Sequence, residues 1–163
     1  MATESKPPGS EEPILNVVGE RVALGLAVAK ASGGVALGKI PVERGEVLYL
    51  ALEDNRRRLQ NRLRKVLDGS PPPEGLHMAT EWPRVDEGGA EDLDDWLAVH
   101  PDAGLVVVDI LKVVRPSVSG NRGIYDADYE ALQSMQSAKE CAPVAVVEAV
   151  QSVFPIGRRF SRS

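Results

Sequence analysis

The chain has 163 residues, a net charge of −5 and 43% hydrophobic residues, values that are typical of one soluble globular domain. The negative charge excludes a global attraction to nucleic acid or anionic membranes, so any DNA contact needs a local basic patch. A single cysteine, Cys141, excludes an intrachain disulfide. Since no apolar run is long enough to span a membrane, we expect a cytoplasmic protein.

The composition divides the chain into three predicted segments. Residues 1–13 are polar and rich in proline, which predicts a disordered tail. Residues 14–149 contain the apolar periodic segments and form the predicted core. Residues 150–163 end in a basic stretch and are predicted to be an atypical or disordered tail.

Apolar strands and amphipathic helices alternate along this core. In chain order we predict a strand at 14–18, a buried helix at 22–31, a loop at 34–45, a strand at 47–52, a helix at 56–67, a strand at 76–80, a helix at 90–99, a strand at 104–108, a helix at 125–140 and a strand at 143–147. Several strands are apolar without alternation, as in sheets that are covered on both faces. The pattern predicts an α/β fold with a mostly parallel sheet and helices on both faces.

Acidic residues follow the two clearest strands. Glu53 comes after the strand at 47–52, and Asp109 after the strand at 104–108. Ligands of open parallel sheets bind beyond the carboxyl ends of the strands, where one carboxylate could hold Mg²⁺ and another could polarise a water molecule. Acids in such places also serve simply as turn residues and helix caps, and Asp54 and Asn55 are both candidate caps for the next helix.

A phosphate-binding loop of the form G-x-x-x-x-G-K-[ST] is missing. Gly33 to Lys39 has the glycine spacing, but Ile40 replaces the hydroxyl residue, a helix precedes the stretch and Pro41 follows it. The segment Gly19-Glu20-Arg21 stands between a predicted strand and helix, yet it has neither lysine nor hydroxyl. We interpret the first stretch as a false match and the second as a degenerate loop.

Other polar residues favour structural interpretations. The basic run in the helix at 56–67 (Arg56, Arg57, Arg58, Arg62, Arg64 and Lys65) fits a solvated helix face better than a nucleic-acid contact. His77 and His100 are isolated in the sequence and have no metal or triad partner nearby. Trp82 and Trp96 are interpreted as packing residues.

Several sequence blocks resemble the RepA-like branch of the RecA/DnaB family of P-loop ATPases. They are Ala31-Ser32-Gly33-Gly34, residues 37–42, Gly45 through Asp54 with its Leu-Ala-Leu-Glu-Asp end, Thr80-Glu81-Trp82-Pro83, and Leu105 through Asp109. The resemblance implies a RecA-like ATPase core over 14–149, here truncated, that binds ATP and Mg²⁺. It also implies a homohexamer and work on single-stranded DNA or with replication proteins. By the same resemblance Glu53 is the catalytic carboxylate and Asp109 holds the metal.

Two departures from the family bear on activity. The Lys-Thr or Lys-Ser pair is absent at Glu20-Arg21, and the segment after Ala149 does not follow the family pattern. We therefore expect ATP binding to be weak and hydrolysis to be reduced or lost. A non-catalytic interaction module and a nucleotide-sensing domain remain as alternatives.

Overall fold

The computed structural model of the chain describes residues 20–109, 111–114, 116, 124–137 and 145–148. The two predicted tails and the predicted strand at 14–18 lie outside the described residues. In the part of the chain that is described, no helix has the length and apolar character needed to cross a bilayer.

The centre of the fold is a four-stranded sheet in which every neighbouring pair is parallel. Its strands are β3 (Glu46–Ala51), β4 (Leu76–Ala79), β5 (Ala103–Asp109) and β6 (Ala145–Glu148), in the spatial order β4-β3-β5-β6. The inner strands β3 and β5 are almost wholly buried, as their continuous apolar runs require. The predicted parallel sheet is confirmed.

Helices cover both faces of this sheet. On one face, α1 (Glu20–Ser32) and α2 (Arg56–Leu67) pack on a cluster that includes Leu24, Tyr49 and Val107. On the other face lie α3 (Gly89–Val99), the short α4 (Leu111–Val114) and α5 (Ile124–Ser137), against a cluster that includes Leu50 and Val106. The fold is therefore α/β and RecA-like, with the predicted helices on both faces.

The predicted loop at 34–45 is partly wrong, because it contains an antiparallel hairpin of β1 (Val35–Ala36) and β2 (Ile40–Pro41). Leu37 and Gly38 form its turn with φ of 51° and 73°, and the Lys39 amide donates to the Ala36 carbonyl at 3.2 Å. The register pairs Ala36 with Ile40, so the connection has three residues, and its first two carry positive φ angles. A leucine in the first turn position conceals this geometry from sequence patterns. A short 3-10 turn at Val85–Glu87 and α4 were not predicted.

Candidate functional site

The carboxyl ends of β3 and β5 meet at one edge of the sheet, here called the carboxyl edge. Ala51 pairs with Asp109 in the parallel register, and the Leu52 amide donates to the Asp109 carbonyl at 2.7 Å. Glu53 follows two residues after Ala51 and is exposed. The prediction that Glu53 and Asp109 emerge at the same edge is confirmed, while their chemical roles stay predictions.

Asp109 is a buried carboxylate, with 4% of its surface exposed. The Tyr49 hydroxyl donates to its Oδ2 at 3.1 Å from the neighbouring strand. Burial raises the pKa of Tyr49 well above its usual range, and the negative charge of Asp109 raises it further. The phenol therefore stays protonated and acts as a permanent donor to Asp109.

Arg62 of α2 joins Asp109 to a second buried carboxylate. Its Nη2 lies 3.6 Å from Asp109 Oδ2, and its Nη1 donates to Asp54 Oδ2. The three side chains are 17%, 5% and 7% exposed for Arg62, Asp109 and Asp54. Arg58 adds a looser contact, with Nε 3.8 Å from Asp54 Oδ1. We call Tyr49, Asp54, Arg62 and Asp109 the carboxylate clamp.

The clamp corrects two sequence interpretations. Asp54 does not cap α2, because Asn55 is the cap residue and its side chain accepts from the Arg58 amide at 2.9 Å. Arg62 does not belong to the solvated face that most of the basic run occupies. A signal was available: Arg62 lies three residues after Leu59 and next to Leu63, so helical spacing turns it toward the sheet.

Positive charges of α2 compensate the two carboxylates of the clamp. Arg62 contacts both Asp54 and Asp109, and Arg58, outside the clamp, adds a second positive charge beside Asp54, while Tyr49 stays neutral. Buried carboxylates need such partners, because an unpaired buried charge is costly. The counter-charge for Asp109 thus comes from α2, at the place where the resemblance expects a metal ion.

Lys39 lies far from this edge in the fold. It is exposed in the β1–β2 hairpin, and the chain from the hairpin leads to Glu46 at the opposite end of β3. Strand β2, not a helix, directly follows Lys39, so the Lys39 backbone does not stand at a helix N-terminus where a phosphate could be bound. The Gly33–Lys39 stretch therefore lacks the strand–loop–helix setting of a phosphate-binding loop, while its interpretation as a false match stays a prediction. The other segment, Gly19-Glu20-Arg21, is described only for its backbone from Glu20, where α1 begins.

His77 and His100, which are isolated in the sequence, lie together in the fold. His77 Nε2 lies 3.3 Å from Glu46 Oε1, and the His77 and His100 ring centroids are 4.6 Å apart. Glu46 is the first residue of β3, so this group lies at the end of the sheet opposite the clamp. Trp96 stacks on His100 and Trp82 donates to the Gly89 carbonyl, which confirms both tryptophans as packing residues.

Comparison with known families decides the class of the protein. A family model described as an AAA domain matches residues 21–149. The chain belongs to this AAA domain family. No curated protein matches it. The match spans the whole described α/β core, from α1 to β6, and makes the chain a domain of the P-loop ATPase type, whose family ligand is a nucleotide.

Proposed function

We propose that this AAA domain is a RepA-like ATPase domain associated with DNA replication or helicase action, in a degenerate form that no longer hydrolyses ATP. The observation that carries the proposal is the engagement of Asp109 by Arg62. Two features support the proposal together. The RecA-like sheet has its carboxylates at the expected edge, and a guanidinium, that of Arg62, lies beside one of them.

The clamp argues against a Mg²⁺–ATP site of the ordinary kind. A Mg²⁺ ion at the end of β5 would need the Asp109 carboxylate, directly or through water. That carboxylate already accepts from Tyr49 and faces Arg62. A metal there would have to displace a guanidinium that Asp54 also holds in place. The residues of the clamp therefore do not fit the ion.

The segment where the family binds the phosphates of ATP supports the same conclusion. The segment before α1 has Glu20-Arg21 where the family has lysine and a hydroxyl residue. A carboxylate at that place repels phosphate, and no hydroxyl is available for the metal. Lys39 cannot substitute, because its hairpin leads to the other end of β3.

Glu53 keeps the family's place for the catalytic carboxylate, at the end of β3 and open to solvent. In an active relative it would polarise the attacking water, and Asp109 would hold the metal. Those two roles describe the ancestral activity in our proposal.

Measurement of phosphate release from Mg²⁺–ATP tests the proposal. The wild-type chain should release phosphate no faster than Asp109→Asn, and Glu53→Gln should leave this background unchanged. Exposed Glu43→Gln serves as the matched control for Glu53→Gln. If Glu53→Gln instead lowered turnover about 10²–10⁴-fold, the expected effect of removing a positioned acid–base group, the site would be active and the proposal would fail.

The proposed partners follow from the resemblance and from one exposed surface. Arg57, Arg58 and Lys65 line a shallow depression on α2, which supports contact with the backbone of single-stranded DNA. Replication proteins and further copies of the chain, as in a homohexamer, are the other proposed partners.

A second candidate function is a non-catalytic interaction module that binds family subunits. The β1–β2 hairpin favours it, because Val35, Leu37 and Ile40 are 58%, 65% and 54% exposed. Three large apolar side chains on one short hairpin are typical of a contact surface. Light scattering of Leu37→Asp separates the candidates. A module that self-associates through the hairpin would become monomeric, whereas a homohexamer that does not use the hairpin would keep its size.

A further inference from the structure

We propose that Glu46, His77 and His100 form a binding site for a divalent transition-metal ion of the zinc class, at the end of the sheet opposite the clamp. One ligand atom from each residue lies within 4.8 Å of the other two. The set of two imidazoles and one carboxylate is one that zinc sites use with a water molecule as fourth ligand.

Each ligand is positioned by a different element. Glu46 begins β3, His77 lies in β4 and His100 is the C-cap residue of α3. His77 pairs with Leu48 in the register of β3 and β4, so Glu46, two residues before Leu48, projects from the same face of the sheet as His77. This is the face that α3 covers, which brings His100 over both.

The distances suit a tetrahedral ion. Two atoms bound to one zinc ion at about 2.0–2.1 Å lie about 3.3 Å apart when the geometry is tetrahedral. His77 Nε2 and Glu46 Oε1 are 3.3 Å apart. The remaining ligand atom has to approach by at most about 1.5 Å, the difference between 4.8 Å and the tetrahedral spacing.

His100 is oriented in the way that metal ligands are. Its Nδ1 donates to the Trp96 carbonyl at 2.7 Å, which leaves the lone pair on Nε2. Backbone carbonyls fix the tautomer of ligating histidines in this manner. The Trp96 ring stacks on the imidazole with centroids 4.1 Å apart and 14° between the planes, and so limits its rotation.

An ion can reach the site from solvent. The Glu46 and His77 side chains are 30% and 34% exposed. Glu46 also lines a surface depression with Glu74, Asp102 and Arg44. Glu74 and Asp102 add two carboxylates there, which face the Arg44 guanidinium and the Lys30 ammonium beside Gly45.

The site is separate from the proposed nucleotide edge. Glu46 and Ala51 stand at opposite ends of β3, and five residue rises of a strand span about 16 Å. A bound ion would link β3, β4 and the end of α3, which is a structural role that does not depend on ATP chemistry.

Calorimetric titration of the full chain with Zn²⁺ tests the inference. We expect one ion per chain, and a loss of affinity larger than about 10–100-fold, the usual effect of changing an outer-shell partner, in each of His77→Ala, His100→Ala and Glu46→Gln. The chain has only two histidines and one cysteine, so Cys141→Ala is the control for a thiolate site and Glu43→Gln the control for Glu46. Both controls should bind as the wild type does.

Substitution by Co²⁺ in the wild-type chain decides the matter if a histidine variant does not fold. A tetrahedral d–d spectrum without a thiolate charge-transfer band, lost in Glu46→Gln, supports the site. Absence of Zn²⁺ binding, unchanged binding in folded His77→Ala, or binding that disappears in Cys141→Ala would each overturn it.

Discussion

Arg62 is the residue on which the charge balance of the carboxyl edge depends. Replacing it with alanine removes the guanidinium that contacts both Asp54 and Asp109, whose side chains are buried. Removing one member of a buried ion pair typically costs about 3–5 kcal/mol, so we expect Arg62→Ala to lower the free energy of unfolding by about that amount. Chemical denaturation measures it.

Arg57 provides the matched control, because it is an exposed arginine on the same helix. Arg57→Ala should change the unfolding free energy by less than about 0.5 kcal/mol. Arg62→Lys should recover part of the loss, since it keeps the charge without the planar fork that reaches two carboxylates. Equal effects of Arg57→Ala and Arg62→Ala would show that the clamp does not stabilise the fold.

The difference between Asp109 and Arg62 shows what a sequence can reveal about single residues. Asp109 could be placed because parallel strands fix which end of each strand meets the ligand edge. Arg62 is one of six basic residues in the same helix, and composition does not distinguish one inward-facing arginine from the exposed ones. Its helical spacing from Leu59 does separate them, but only when the inward face of α2 is considered as well.

Alanine substitutions at two glycines test how closely the secondary-structure elements pack. A Cβ added at Gly25 in α1 meets no atom within 4 Å, whereas one added at Gly89 would overlap the Pro83 carbonyl and lie 2.7 Å from the Arg84 carbonyl. Gly25→Ala should therefore stabilise the protein by about 0.5–1 kcal/mol, the helical advantage of alanine. Gly89→Ala should destabilise it by about 1–3 kcal/mol, as overpacking does.

Urea unfolding of both variants and of the wild type measures whether each substitution raises or lowers the free energy of unfolding. Gly89 also begins α3, and its carbonyl accepts a hydrogen bond from Trp82 Nε1 at 3.0 Å. The backbone shift needed to fit alanine would therefore disturb this hydrogen bond as well. A Gly89→Ala variant as stable as the wild type would mean that the Pro83 and Arg84 carbonyls do not pack closely against Gly89.

Elements with strong periodicity were predictable and short ones were not. Helix α2 spans Arg56–Leu67, as its stripe of Leu59, Leu63 and Val66 predicts. The β1–β2 hairpin has strands of two residues each, which carry no alternation to detect. Its turn also uses Leu37 at positive φ, where sequence rules expect asparagine, aspartate or glycine.

At the scale of the molecule, the two ends of one sheet hold different chemistry. The carboxyl edge carries the clamp, at the place where the family resemblance expects the nucleotide and its metal ion. The opposite end carries Glu46, His77 and His100, which the fold alone brings together, since the two histidines stand 23 positions apart in the sequence. Sequence spacing could not place them side by side, because the contact depends on the β3–β4 register and on where α3 ends.

Binding of Mg²⁺–ATP to the wild-type chain, measured by calorimetry, tests the central claim most directly. With Asp109 held by Arg62 and Glu20-Arg21 at the start of α1, we expect no saturable binding with a Kd tighter than about 1 mM, a binding free energy of about −4 kcal/mol. Lys39→Ala should make no difference. A micromolar Kd that disappears in Asp109→Asn would contradict the proposal and show a working nucleotide site.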